Sequence, residues 1–156
     1  MKTGENKIAT VIGGSGFIGS HVADQLSEEG YHVRIFDRKA SRWKKENQEM
    51  IVGDMLDNDL LNKVIVGSEV VYNFAALADL DQARHKPVET VELNILGNIK
   101  ALEACRVNDV KRFIFASTVY VYSREGSFYR CSKQAAESYI EEFQNVYNLD
   151  YTILRY

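Results

Sequence analysis

The sequence predicts an α/β doubly wound parallel sheet, and three observations carry that prediction. Short apolar runs alternate along the chain with longer segments of helical periodicity. Several of those runs are near-continuously apolar, as strands covered on both faces must be. The first run leads into a glycine-rich turn and then into a helical pattern, the opening of a βαβ unit with right-handed crossovers.

About six strands are expected. Residues 8–12, 32–36, 50–52, 70–75, 112–116 and 151–154 supply the apolar runs. Between the first two, Ile18, Val22 and Leu26 recur every four residues, and Gly30 is a stop signal. Asp57 is placed to cap a helix holding Leu60, Leu61 and Val64. Val91, Ile95, Ile99 and Leu102 are expected on one face of a longer helix, with Pro87 in a loop or first helical turn before it. Ala136, Tyr139, Ile140 and Phe143 make the same pattern near the end of the chain. The charged stretch 38–49 reads as a solvated loop after the second strand.

Bulk properties bound the function. A chain of 156 residues, 46% hydrophobic and 26% charged, suits one globular domain with its own core, residues 1–156. A net charge of −3 and a pI near 5.6 give no basic surface for nucleic acid or an anionic membrane, and neither partner is expected. Cys105 and Cys131 are far apart and read as two reduced, packed thiols, while His21, His32 and His85 form no cluster, so no metal is expected. Residues 1–7 are polar, and the apolar run behind them is too short for a signal peptide or a membrane span. A cytoplasmic location is the resulting expectation.

The turn after the first strand reads Gly13-Gly14-Ser15-Gly16-Phe17-Ile18-Gly19, a G-x-x-G-x-x-G spacing between a strand and a helix. Glycines there permit a tight turn and close backbone approach, and the helix N-terminus presents unpaired N–H groups to a pyrophosphate. Asp37 closes the second strand, 18 residues after Gly19. A carboxylate at that point can accept from adenosine ribose hydroxyls and repels a 2′-phosphate, which favours NAD over NADP. Arg38 and Lys39 follow directly and soften that preference.

From Gly13 onward the chain resembles the extended short-chain dehydrogenase/reductase family, the sugar-nucleotide epimerases and dehydratases, whose cofactor domain is Rossmann-like. Gly14-Ser15-Gly16-Phe17-Ile18-Gly19-Ser20-His21 is close to the family pattern, and the resemblance runs along essentially the whole chain. It implies that Gly13, Gly16, Phe17, Ile18, Asp37 and Arg38 bind the cofactor, joined by Asp54 and Met55 after strand three. Asp54 stands where the family's Asp contacts the adenine amino group. Asn73-Phe74-Ala75-Ala76-Leu77-Ala78 is similar to the segment passing beside the cofactor, which adds Ala75, Ala76 and Leu77. Asn73 stands where the family often has His, a departure that bears on packing more than chemistry. Asn94 matches a helical Asn with a structural role near the active site.

The resemblance also supplies the chemistry. Phe115-Ala116-Ser117-Thr118 is similar to the strand that carries a catalytic hydroxyl, aligned best on Thr118 with Ser117 second. Tyr129-Arg130-Cys131-Ser132-Lys133 is Tyr-x-x-x-Lys. With nine tyrosines in the chain that pair alone is weak, and its position after the fifth strand carries it. Tyr and Lys four apart share a helical face. A nearby ammonium is expected to lower the phenol pKa, so that Tyr129 serves as general base near neutrality. Lys133 and Tyr129 would also hold the cofactor, and Thr118 the reacting oxygen, while hydride passes between a sugar carbon and the nicotinamide.

A nucleotide-sugar substrate and 4-epimerisation are therefore implied. Val119-Tyr120 follow Thr118 where the dehydratase subgroup has Asp-Glu, which disfavours dehydration. The loop between Ser123 and Tyr129 is shorter than the family's usual substrate-mouth loop. Oxidation or reduction of another secondary alcohol, or a non-catalytic dinucleotide-binding module, are the alternatives. Family members continue beyond the sixth strand into a smaller sugar-gripping domain, so residues 1–156 are expected to bind dinucleotide while turning over little substrate alone. They also commonly dimerise through two helices, here the Val91 and Ala136 helices, and a homodimer is a further expectation.

Overall fold

The computed structural model describes residues 7–156. Six parallel strands form one sheet in the order β3-β2-β1-β4-β5-β6. They are β1 Ile8–Ile12, β2 His32–Asp37, β3 Gln48–Val52, β4 Ser68–Asn73, β5 Arg112–Ser117 and β6 Asp150–Arg155. Every expected strand is present. The largest difference in bounds is at β4, which starts two residues before the expected 70 and ends two before the expected 75. The strand order reverses between β1 and β4, and in such sheets a crevice opens there at the carboxyl ends of the strands.

Alternation along the strands builds a core on each face. Ile12, Phe36, Val71, Phe113 and Phe115 point to the side covered by α2 Asn58–Ile65, α5 Gly97–Val107 and α6 Ser127–Tyr147. Ala9, Val11, Val33, Ile35 and Val70 point to the other, under α1 Phe17–Glu28. Asp57 caps α2 by accepting from the Leu60 amide at 3.1 Å. Gly30 ends α1: with φ +87° it lets its own amide reach the Ser27 carbonyl at 3.2 Å and the Tyr31 amide reach Leu26 at 3.0 Å, a Schellman closure. Residues 38–47 form a loop in which Trp43 is exposed.

The long helix expected around Val91 is not continuous. After the short α3 Leu80–His85, Pro87 opens α4 Pro87–Val91, a π-helical turn spans Glu92–Leu96, and α5 follows. The wider turn shifts the helical phase, so Leu93, Asn94, Gly97, Asn98, Ala101 and Leu102 are buried while Val91 is exposed. Tyr139 on α6 is likewise exposed, and so is Cys131; only Cys105 is a packed thiol. Among the described residues no helix is long and apolar enough to cross a membrane.

Candidate functional site

The β1–α1 turn is held so closely that only glycine fits its ends. Gly13 has φ +77°, and a Cβ there would lie 2.5 Å from the Ala75 amide nitrogen. A Cβ at Gly19 would lie 2.4 Å from the Gly13 carbonyl oxygen. Gly16 occupies the N-cap of α1 with no side chain to cap it, so the first-turn amides of Phe17 and Ile18 have no intrahelical acceptor. Behind the turn, the Gly13 amide donates to the Phe36 carbonyl at 2.8 Å and the Ser15 amide to Asp37 Oδ2 at 3.1 Å. The Lys39 amide bonds Asp37 Oδ1, also at 3.1 Å.

The carboxyl ends of β1, β2, β3 and β4 surround a cleft of ≈ 210 Å³. Gly13 and Gly16 form one wall, and Asp37 and Arg38 the end of β2. Asp54 and Met55 follow β3, and Ala75 and Ala76 follow β4. These eight expected residues therefore converge on one space. Asp54 is fixed in its loop by accepting from the Leu56 amide at 2.9 Å. Met55 is buried against Gly97 of α5.

Three expected binding residues contribute differently. The Phe17 side chain is 82% exposed and meets the ring of His21, while Ile18 lines a separate depression with Val22 and Tyr72; both side chains lie outside the cleft. With neither side chain in the cleft, what these two residues can offer it is their backbone amides, which have no intrahelical acceptor. Leu77 is buried with Ala83 and Leu93, and Tyr129 packs against that cluster. Leu93 also lines the cleft, which makes this cluster the link between the cleft and Tyr129.

The residues expected to be catalytic gather around the end of β5. Thr118 is 4% exposed and caps the 3₁₀ turn Val119–Tyr122, its Oγ1 accepting from the Tyr120 amide at 3.3 Å, which leaves its own proton to donate. Ser117 is engaged elsewhere, donating to Glu137 Oε1 at 2.5 Å. That occupation separates two hydroxyls the sequence left close: the Ser117 proton goes to Glu137, while Thr118 Oγ1 accepts from the Tyr120 amide. Tyr129 and Lys133 lie on α6, whose start is set by left-handed Gly126 and Ser127 and by Arg130 donating to the Ser123 carbonyl at 3.0 Å.

The expected lowering of the Tyr129 phenol is not found. Burial, with Tyr120 nearby, pushes it above its ordinary value. Lys133 is 2% exposed, and its Nζ donates to the Ala116 carbonyl at 2.7 Å, 4.5 Å from the Phe115 ring centre and 5.7 Å from that of Tyr129. Burial lowers Lys133 to about 7 against the raising field of Glu137. An ammonium held to a strand carbonyl and desolvated in this way gives the phenolate little help.

Asn94 projects from the π-helical turn and is buried. Its Oδ1 accepts from the Leu77 amide at 2.7 Å, and its Nδ2 donates to the Leu77 carbonyl at 3.1 Å and to Ser132 Oγ at 2.9 Å. Asn73 bonds Asn98 on α5 at 2.9 Å and the Ala75 amide at 3.1 Å, which fits a packing role. The sequence reading missed Ile12, Phe36, Gly53, Phe74 and Leu93 as cleft residues. The first four adjoin residues that were named, and the rule that crevices open at strand carboxyl ends would have found them.

A parallel sheet with this strand order, a glycine cradle at its switch point and an acid closing β2 define a dinucleotide-binding domain of the Rossmann type. The chain belongs to the NAD-dependent epimerase/dehydratase family, whose model matches residues 9–156. A UDP-glucose 4-epimerase of Yersinia pestis is 35% identical over 72% of this chain and 37% of that protein. The UDP-glucose 4-epimerase of Thermotoga maritima, solved with UDP-glucose, superposes with a TM-score of 0.90 at 31% identity, covering 96% of this chain and 55% of that one. The Thermus thermophilus UDP-glucose 4-epimerase, solved with NAD, gives 0.87 at 30%, covering 96% and 54%. The chain thus spans about half the length of the relatives that match nearly all of it, with 54%, 49% and 55% of three of them covered.

Proposed function

We propose that residues 1–156 form the dinucleotide-binding domain and carry the catalytic group of an NAD-dependent nucleotide-sugar epimerase, with a UDP-hexose 4-epimerase reaction as the specific reading. The observation that carries it is the continuity from the glycine cradle, through the Leu77–Leu93 cluster, to Tyr129 and Lys133. The likeness to UDP-glucose 4-epimerases supports the substrate class.

The residues fit NAD. A Cβ would fill the cradle at Gly13 and Gly19, the α1 amides are free to take a pyrophosphate, and the Asp37 carboxylate faces the cleft where ribose hydroxyls would lie. NAD when bound supplies the redox centre for the sugar carbon. In this reading Thr118 donates to the reacting substrate oxygen and Tyr129 takes or returns the proton on that oxygen. Lys133, on the same face of α6 as Tyr129, holds the cofactor's nicotinamide ribose in this reading.

The same reading includes a homodimer. Val88, Val91 and Phe128 are exposed and line an apolar groove with Ile95 and Cys131 between α4, the π-helical turn and α6. Light scattering that gives only monomer at micromolar concentration removes this part.

The function is tested with NAD and NADP calorimetry and with UDP-glucose turnover by the wild type and Tyr129→Phe. The expected result is NAD binding in both and loss of at least about a hundred-fold in turnover in the variant. Undiminished turnover with NAD still bound rejects Tyr129 as the acid–base group.

A further inference from the structure

Glu137 has no part in the chemistry just described, yet it is 8% exposed and sits one turn after Lys133 on α6. Its Oε1 accepts from Ser117 Oγ at 2.5 Å and from Arg155 Nε at 3.0 Å, and its Oε2 accepts from Arg155 Nη2 at 2.8 Å. Arg155 Nη1 continues to the Tyr122 hydroxyl at 2.7 Å. One carboxylate therefore joins the end of β5, the 3₁₀ turn, α6 and β6. Ser117 precedes Thr118, and Tyr122 ends the turn that Thr118 caps, so the chain is held on both sides of that hydroxyl.

A buried ion pair is a weak source of stability, since apolar side chains of like volume serve a core as well or better. Its geometry is what sets this one apart. We propose that Glu137 is a positioning residue for Thr118, Tyr129 and Lys133: it fixes the strand end that carries Thr118 against the helix that carries the other two, and it places a fixed negative charge one turn from the Lys133 ammonium. The inference rests on the catalytic reading of those three residues.

The surroundings of Lys133 agree. β5 presents the Phe115 ring and the Ala116 carbonyl to it, α6 presents Tyr129 and Glu137, the 3₁₀ turn brings Tyr120 beside Tyr129, and Arg155 of β6 acts through Glu137. Among the described residues Glu137 is the charged group coupled to Lys133, and it opposes the fall that burial causes. Burial alone would raise the Glu137 carboxyl, but hydrogen bonds from Arg155 and Ser117 outweigh it and hold the group below its ordinary value, hence ionised at neutrality.

Glu137→Gln keeps the shape and the contact with Ser117 while removing the charge. The Lys133 side chain is titrated by NMR in the whole chain labelled in its lysine side chains, with the resonance assigned through Lys133→Arg. Its midpoint is expected to fall by about one pH unit in Glu137→Gln. The pair Glu137→Gln/Arg155→Met removes both charges. It should recover stability to urea while the Lys133 midpoint stays low, a separation that a purely structural role does not produce. An unmoved midpoint in folded Glu137→Gln overturns the proposal, as does recovery of both stability and midpoint in the pair; if the single variant does not fold, the pair decides. With UDP-glucose, Glu137→Gln should lose about ten-fold in kcat with KM within about two-fold. Failure of the wild type to bind NAD in calorimetry would reject the functional reading, while the NMR titration still decides whether Glu137 governs Lys133.

Discussion

The Ser15 amide donates to the Asp37 carboxylate at 3.1 Å, so the acid that closes β2 is bonded to the turn that follows β1. Asp37 therefore has two duties. It holds the glycine turn against the neighbouring strand, and in the proposed function its remaining lone pairs accept ribose hydroxyls in the cleft that it lines.

Asp37→Asn separates the two duties. The amide oxygen can still accept from Ser15, so stability should fall by only about 1 kcal/mol. The lost charge should weaken NAD by about ten-fold and narrow its advantage over NADP, because a 2′-phosphate is no longer repelled. Calorimetry with both nucleotides reads this directly. An unchanged ratio of the two affinities would remove Asp37 from cofactor selection.

Two glycines with similar backbone angles should respond very differently to alanine. Gly13 and Gly30 have φ +77° and +87°, but a Cβ at Gly13 meets the Ala75 amide at 2.5 Å whereas one at Gly30 meets nothing within 4 Å. Gly30→Ala should cost about 1 kcal/mol, the ordinary penalty of a left-handed residue. Gly13→Ala must also push two strand ends apart, and should cost more than about 3 kcal/mol and abolish NAD binding. Urea unfolding of the two variants compares them, and equal costs would mean that the close approach at Ala75 is not a constraint.

What was legible in the sequence follows from which forces are local. Strands β1 to β6 are apolar runs bounded by breakers, and Asp57 and Gly30 are punctuation that acts within a few residues. The glycine turn and Asp37 are legible because one backbone geometry requires those residue types. The π-helical turn left no local signal: Val91, Ile95, Ile99 and Leu102 fit a regular helix better than the phase-shifted one observed. The state of Tyr129 was misjudged because spacing places Lys133 on its helical face but does not say that its Nζ turns to the Ala116 carbonyl. The difference between Ser117 and Thr118 was not legible because the Ser117 proton is taken by Glu137, 20 residues along the chain.

Lys133 should leave a signature in the pH dependence of stability. Burial lowers it to about 7 in the folded chain, while the unfolded chain keeps an ordinary lysine. Between those two values the unfolded state binds more protons, so stability rises with pH from about 7 to about 10. Below 7 both states are protonated and the full penalty of the buried ammonium is present. Lys133→Met should lack that rise and be the more stable protein at pH 6 by roughly a few kcal/mol. Urea midpoints for both proteins at pH 6, 8 and 9.5 test the sign. Parallel profiles would show that Lys133 titrates normally when folded.

Asn94 carries the last prediction. It sits where the π-helical turn widens the helix, and its amide closes both the N–H and the C=O of Leu77 while reaching Ser132 on α6. Ser132 in turn donates to the Tyr129 carbonyl at 2.8 Å, so one side chain joins the segment after β4 to the turn that presents Tyr129. Asn94→Ala leaves buried Leu77 donor and acceptor groups unpaired, and should cost about 2–4 kcal/mol. Asn94→Asp keeps the acceptor for the Leu77 amide but turns a carboxylate oxygen toward the Leu77 carbonyl. Its folded pKa should therefore lie above that of an unfolded aspartate, and the folded state should bind more protons between the two values. Stability of Asn94→Asp relative to wild type should accordingly improve as pH falls through that window, while the deficit of Asn94→Ala stays flat. A cost below about 1 kcal/mol for Asn94→Ala would mean that solvent satisfies Leu77 without the side chain, and the π-helical turn would lose its assigned role in placing Tyr129.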